Sequence, residues 1–107
     1  MRVMCLNGWG GTLYEPLRAY VAEVVPDVLC LQEVVHTPAS SKDILTYRDG
    51  SHVLPQRANL FRDISRILPD HVAVFAPAAQ GVLWDGDLQI PPQSGLATFV
   101  HKSFPLI

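Results

Sequence analysis

Two short apolar runs, Val3-Met4-Cys5-Leu6-Asn7 and Asp27-Val28-Leu29-Cys30-Leu31-Gln32-Glu33, each end abruptly in polar side chains and have the length of strands rather than helices. Between them, apolar residues recur at helical spacing: Leu13, Leu17, Tyr20, Val21 and Val24 predict one helix with a single buried stripe. Thr12 and Glu15 have the form of a capping box, Pro16 falls in the first turn where a missing N–H costs least, and Pro26 ends the helix. A strand, a crossover helix and a second strand imply parallel pairing, with Asn7 and Glu33 at the same carboxyl edge of one sheet. Ligands of open α/β sheets bind at that edge.

Beyond Glu33 the pattern loosens. Residues 36 to 54 are polar and rich in Ser, Thr, Pro and Asp, which predicts a long loop. A second helix is expected from about Pro55 to Leu68, with Leu60, Ile64, Ile67 and Leu68 inward, Arg57, Arg62, Asp63 and Arg66 outward, and Pro69 as its stop. A strand follows from about His71 to Ala76. After it comes a second long loop over residues 77 to 94, carrying Trp84, Asp85, Asp87 and Pro91-Pro92, and a short strand from Gly95 to His101. This order predicts an α/β (α+β) domain with one βαβ unit, in which one sheet face and the last edge have nothing obvious to cover them. The chain closes on Ser103-Phe104-Pro105-Leu106-Ile107, apolar where domain ends are commonly polar. The expectation is a single domain over residues 1-107 that forms the first half of something larger.

At 107 residues, 49% hydrophobic and 17% charged, the composition is that of one globular domain with one core. No apolar run approaches the roughly 18 residues of a membrane-spanning helix. A net charge of -2 without a Lys/Arg cluster argues against a simple basic nucleic-acid-binding module. Met1-Arg2-Val3 runs straight into the first strand without the pattern of a secretory signal, so a reducing cytoplasm is the expected compartment. Cys5 and Cys30, flanked by apolar residues in neighbouring strands, are expected to be buried free thiols.

Gly8-Trp9-Gly10-Gly11 lacks both the GxxxxGK[ST] and the GxGxxG phosphate-binding patterns, and reads as a structural turn or as a loop lining a site. Glu33 is the sharpest candidate. A carboxylate at a strand end can ligate a hard divalent ion, and Mg2+ takes one or two protein carboxylates while water and substrate oxygens fill the rest. A solvated strand-end charge is the other reading. Asn7 either caps the following turn or donates hydrogen bonds to a phosphate. Gln32 should alternate to the opposite side of the strand from Glu33 and make a structural hydrogen bond. His36, His52, His71 and His101 lack zinc-site spacing; His36 reads as a loop histidine in solvent or as a support for Glu33. No Gly-x-Ser-x-Gly elbow is present and neither cysteine has a reactive-looking context, which disfavours covalent catalysis. Asp85 and Asp87 read as turn residues, and Trp9 and Trp84 as pocket-lining or core side chains.

Leu6-Asn7 after an opening strand, a crossover helix, and then Pro26-Asp27-Val28-Leu29-Cys30-Leu31-Gln32-Glu33-Val34 resemble the opening of the endonuclease/exonuclease/phosphatase superfamily. That superfamily includes pancreatic deoxyribonuclease, abasic-site endonucleases, inositol polyphosphate 5-phosphatases and bacterial sphingomyelinases. Ser94-Gly95-Leu96-Ala97-Thr98-Phe99-Val100 and Phe104-Pro105-Leu106-Ile107 resemble its later strand with a Gly-x-Ala-aliphatic run and a following Ser-x-x-Pro-Ile-like segment. The likeness runs along the whole chain in order, the two long loops excepted.

The resemblance implies a two-layer β-sandwich with flanking helices, of which this chain would be the amino-terminal half. It implies Mg2+ or Mn2+ as cofactor, Glu33 as a direct metal ligand and Asn7 as a residue that positions the scissile phosphate. The implied reaction is hydrolysis of a phosphate ester, in a nucleic acid, a phospholipid or a small molecule, by in-line attack of an activated water. The family's Asp-x-Asn element, later Asp and closing Asp-His pair have no counterpart among these residues. A truncated form is therefore expected, incomplete as a hydrolase, its partner being a missing carboxy-terminal half or a second copy in a homodimer whose half-sheets cover each other. The competing expectation is a non-catalytic binding or interaction domain that retains the fold.

Overall fold

In the computed structural model the chain runs β1 (Val3–Asn7), α1 (Tyr14–Val24), β2 (Val28–His36), β3 (Ile44–Asp49), β4 (His52–Arg57), α2 (Leu60–Ile67), β5 (His71–Gln80), β6 (Leu83–Asp85), β7 (Leu88–Ile90) and β8 (Gln93–His101). The structure describes residues 1–8, 11–38, 40–49, 51–80 and 82–104, without the side chains of residues 49, 52, 79 and 80. Trp9 and Gly10 of the expected turn, and the Pro105-Leu106-Ile107 end of the family-like segment, lie outside the described residues. The architecture is α+β: two four-stranded sheets, ordered β1-β2-β8-β5 and β4-β3-β6-β7, with two helices.

Alternating apolar positions give the strands of the first sheet a shared inner face. β1 and β2 pair in parallel from Val3 opposite Val28 to Asn7 opposite Gln32, as the βαβ pattern requires. β8 then pairs antiparallel to both β2 and β5. Leu29, Leu31, Ala97 and Phe99, with Met4, Leu6, Ala73 and Phe75 around them, pack against Val21 of α1 and Leu60, Ile64 and Leu68 in and just beyond α2. Each large side chain fully buried here contributes about 1.5–3 kcal/mol, which makes this layer the main source of stability.

The helices differ in detail from the sequence pattern. Helix α1 begins at Tyr14 with Leu13 as its N-cap, so the Thr12/Glu15 box is not its cap; Glu15 turns outward to Arg18 at 2.9 Å. Leu17, Val21 and Val24 face the interior at i, i+4 and i+7, leaving Leu13 (53% exposed) and Tyr20 (51%) outside that stripe. Val25 closes the helix in a left-handed cap (φ 46°), its N–H donating to Val21 O at 2.9 Å, and Pro26 cannot continue it. Helix α2 starts at Leu60, not near Pro55. Asp63, expected outward, is 6% exposed because it turns under the helix to hold Arg57 at 3.0 Å.

Both expected long loops contain strands. Residues 44–57 form a hairpin, β3 with β4, and Leu83–Ile90 forms another, β6 with β7, turning at Gly86 (φ 61°). The hairpins join at Thr46 and Trp84, where Arg48 stacks on Trp84 at 4.6 Å and donates to Gly86 O at 2.9 Å. Pro55 is tolerated because β4 is an edge strand. This sheet has its own small core of Leu45, Ala58 and Leu83 with Val35 from the far end of β2. Asn59 ties the two parts: its Oδ1 accepts the Thr37 N–H at 2.7 Å and its Nδ2 donates to Ser40 O at 3.3 Å.

Among the described residues nothing covers the face of the first sheet opposite the helices. Register aligns Val72, Val100, Val28 and Val3 in one row across it and Val74, Thr98, Cys30 and Cys5 in the next. Val3 (60% exposed), Val74 (55%) and Leu96 (52%) stand in solvent, and no Asp, Glu, Lys or Arg falls in either row.

Candidate functional site

Asn7 ends β1, but Glu33, expected at a strand end, lies inside β2, which runs on to His36. The Gly8 N–H donates to Gln32 O at 2.7 Å, carrying the β1–β2 pairing one residue past Asn7. A Cβ at Gly8 would meet Leu60 Cδ2 at 3.0 Å and Gln32 O at 3.1 Å, so a side chain here would press on α2 and β2 where the chain leaves β1.

The alternation that should separate Gln32 from Glu33 fails at this point. The β2–β8 register steps from Leu31 opposite Ala97 to Val34 opposite Gly95, leaving Gln32 and Glu33 together across from Leu96. This is a β-bulge, and Glu33 carries it with a left-handed backbone, φ 53°. Gln32 and Glu33 are consequently both exposed, while Val34 and Val35 are both buried, Val34 in the first core and Val35 in the second. The bulge thus passes β2 from one core to the other and leaves Glu33 exposed. Glu33 has no ion pair with another described residue.

Asn7 is exposed and also borders a cleft of 390 Å³ whose remaining walls are Leu6, Gly8, Leu13, Pro16, Leu17 and Tyr20. Leu13 and Tyr20, displaced from the core stripe, therefore shape an apolar wall beside the candidate site. Among the described residues no group of three or more His, Cys, Asp or Glu converges as a metal cage. The donor set fits a hard ion bound by one carboxylate and otherwise by water and substrate oxygens, the manner in which Mg2+ is held.

Other polar groups fall elsewhere. Arg57 lies over the Tyr14 ring at 4.1 Å and donates to Asp63. Burial opposes the Arg57 charge, but the hydrogen bond and charge of Asp63 outweigh it and leave the guanidinium above its ordinary value; burial, then Asp63, raises the Tyr14 hydroxyl. This cluster had no sequence signal beyond its charges. His36 is not a loop residue in solvent: it ends β2 with its ring 5.3 Å from Phe61 and 5.2 Å from Phe75, and its buried Nδ1 has no hydrogen-bond partner among the described residues. Asp85 pairs with Lys42 at 3.4 Å and Asp87 lies in the β6–β7 turn. Cys5 and Cys30 are free, but Cys5 is exposed and Cys30 half-buried, because the face they share is the uncovered one.

Comparison of the chain with protein-family models, with curated proteins and with solved structures found no match in any of the three.

Proposed function

We propose that the edge formed by Asn7 and Glu33 is one half of a divalent-metal phosphoesterase site. The observation that carries this reading is the bulge at Glu33. A non-glycine residue held at positive φ stores strain, and such strain gathers where a side chain must be aimed for a purpose other than stability. Here it leaves exposed a carboxylate that has no ion pair with another described residue, one position past Gln32, the register partner of Asn7. Glu33 would hold Mg2+ or Mn2+, and Asn7 would donate from its Nδ2 to a phosphate oxygen. The ion, when bound, supplies Lewis-acid stabilisation of charge on the phosphoryl oxygens. The apolar cleft next to Asn7 gives the non-phosphate part of the ester a wall to rest on, as a lipid chain or a base would.

Calorimetric titration tests this. Mg2+ and Mn2+ should bind the parent and not Glu33→Gln, whereas Asn7→Ala should keep the ion and lose inorganic phosphate binding in its presence. Equal ion binding by Glu33→Gln would end the metal assignment.

A second reading, an interaction domain without chemistry, is favoured by the uncovered apolar face. In that reading a second copy stacks sheet on sheet over it, and Glu33 is indifferent to divalent ions.

A further inference from the structure

We infer that Cys5 and Cys30 form a two-coordinate site for a soft, thiophilic monovalent ion, Cu(I) being the metal of that chemistry. The two residues are direct register partners in the parallel β1–β2 pair, so their side chains leave the same sheet face side by side. Thr98 is the register partner of Cys30 on its other side, so Cys30 lies between Cys5 and Thr98 in one row across the sheet. Both sulfurs are free, and Cys5 opens to solvent, which provides an entry path.

Coordination number selects the ion. Zn2+ in protein sites takes three or four protein ligands, and no third His, Cys, Asp or Glu joins this pair among the described residues. Soft thiolate ligands favour Cu(I), which is satisfied by two of them. Binding releases two protons: each thiol gives up its proton to solvent as its sulfur bonds the metal, and the product carries one net negative charge. Thr98 can hydrogen-bond the Cys30 thiolate. The surroundings, Val28, Val100 and Val3 in the neighbouring row, shed hard hydrated ions and accept a soft one. Because binding releases two protons, affinity should rise with pH.

The test is an anaerobic titration of the reduced full chain with Cu(I) against a chromophoric Cu(I) chelator. A one-to-one complex is expected, lost in both Cys5→Ser and Cys30→Ser, with Zn2+ neither retained nor competing. Alkylation of the parent with and without Cu(I) gives a second readout that does not depend on the variants folding: both thiols should be protected together. Retention of the complex by either variant, protection of one thiol only or of neither, or equal retention of Zn2+ would overturn the assignment.

Discussion

Glu33 adopts a backbone conformation (φ 53°) that glycine reaches freely and other L residues resist by about 1–2 kcal/mol. Glu33→Gly should therefore raise stability in denaturant titrations by about 1 kcal/mol while removing divalent-ion binding, the trade-off expected where strain serves a site. A loss of stability would mean that the Glu33 side chain is part of the fold. Asp63 makes the opposite case. It is buried and its partner Arg57 is 18% exposed, so Asp63→Asn leaves a largely buried guanidinium without its counter-charge and should cost about 2–3 kcal/mol in the same measurement. Cys30 gives a pH dependence. Its native pKa lies above the unfolded value, so the native state holds the proton longer; stability is full below the ordinary thiol range and falls as pH rises through it toward the native value. Cys30→Ser should flatten that decline in thermal melts across the alkaline range.

At the scale of elements, the bulges in β2 and β5 meet on either side of Gly95. This residue pairs with Val34 just past one bulge and with Pro77 just before the other. A Cβ at position 95 would lie 2.0 Å from Ala76 O and 2.9 Å from Ala78 N, both backbone atoms. Gly95→Ala should cost about 2–3 kcal/mol by overpacking and shift the amide resonances of Gln32 through Val34, since β8 is the strand on which the Glu33 bulge rests. The βαβ unit was legible in the sequence because its signals are local and agree: two apolar runs, an i, i+4, i+7 stripe and Pro26. The hairpins at 44–57 and 83–90 were not, because their strands are short, expose Ile44, Val53, Leu54 and Leu88, and contain Pro55, which imitates a helix start. The bulge at Glu33 was illegible for a different reason. Alternation counts residues, and nothing in the side chains of Gln32 or Glu33 announces that the count skips one.

For the whole molecule, the uncovered sheet face dominates. Four strands about 4.8 Å apart and roughly 25 Å long make a face of about 500 Å², so two copies stacked face to face would bury about 1,000 Å², the lower bound of a specific interface. If the interaction reading is right, sedimentation should detect a concentration-dependent dimer that Val74→Lys abolishes without altering the circular dichroism spectrum. A monomer at every concentration would remove that reading. The exposed face was legible as a strand pattern lacking a cover, and the parallel pairing that sets Asn7 opposite Gln32 was legible from the crossover. The half-exposed state of the thiols was not, because an apolar neighbourhood in sequence does not reveal which face of a sheet is left bare.

We propose that the strained bulge at Glu33 presents a metal-binding carboxylate one position past the register partner of Asn7. The direct measurement is paramagnetic broadening of backbone amide resonances by substoichiometric Mn2+. Broadening centred on Glu33, Asn7 and Gly8, and abolished in Glu33→Gln, is the predicted result. Broadening centred elsewhere, or unchanged in Glu33→Gln, would contradict the account.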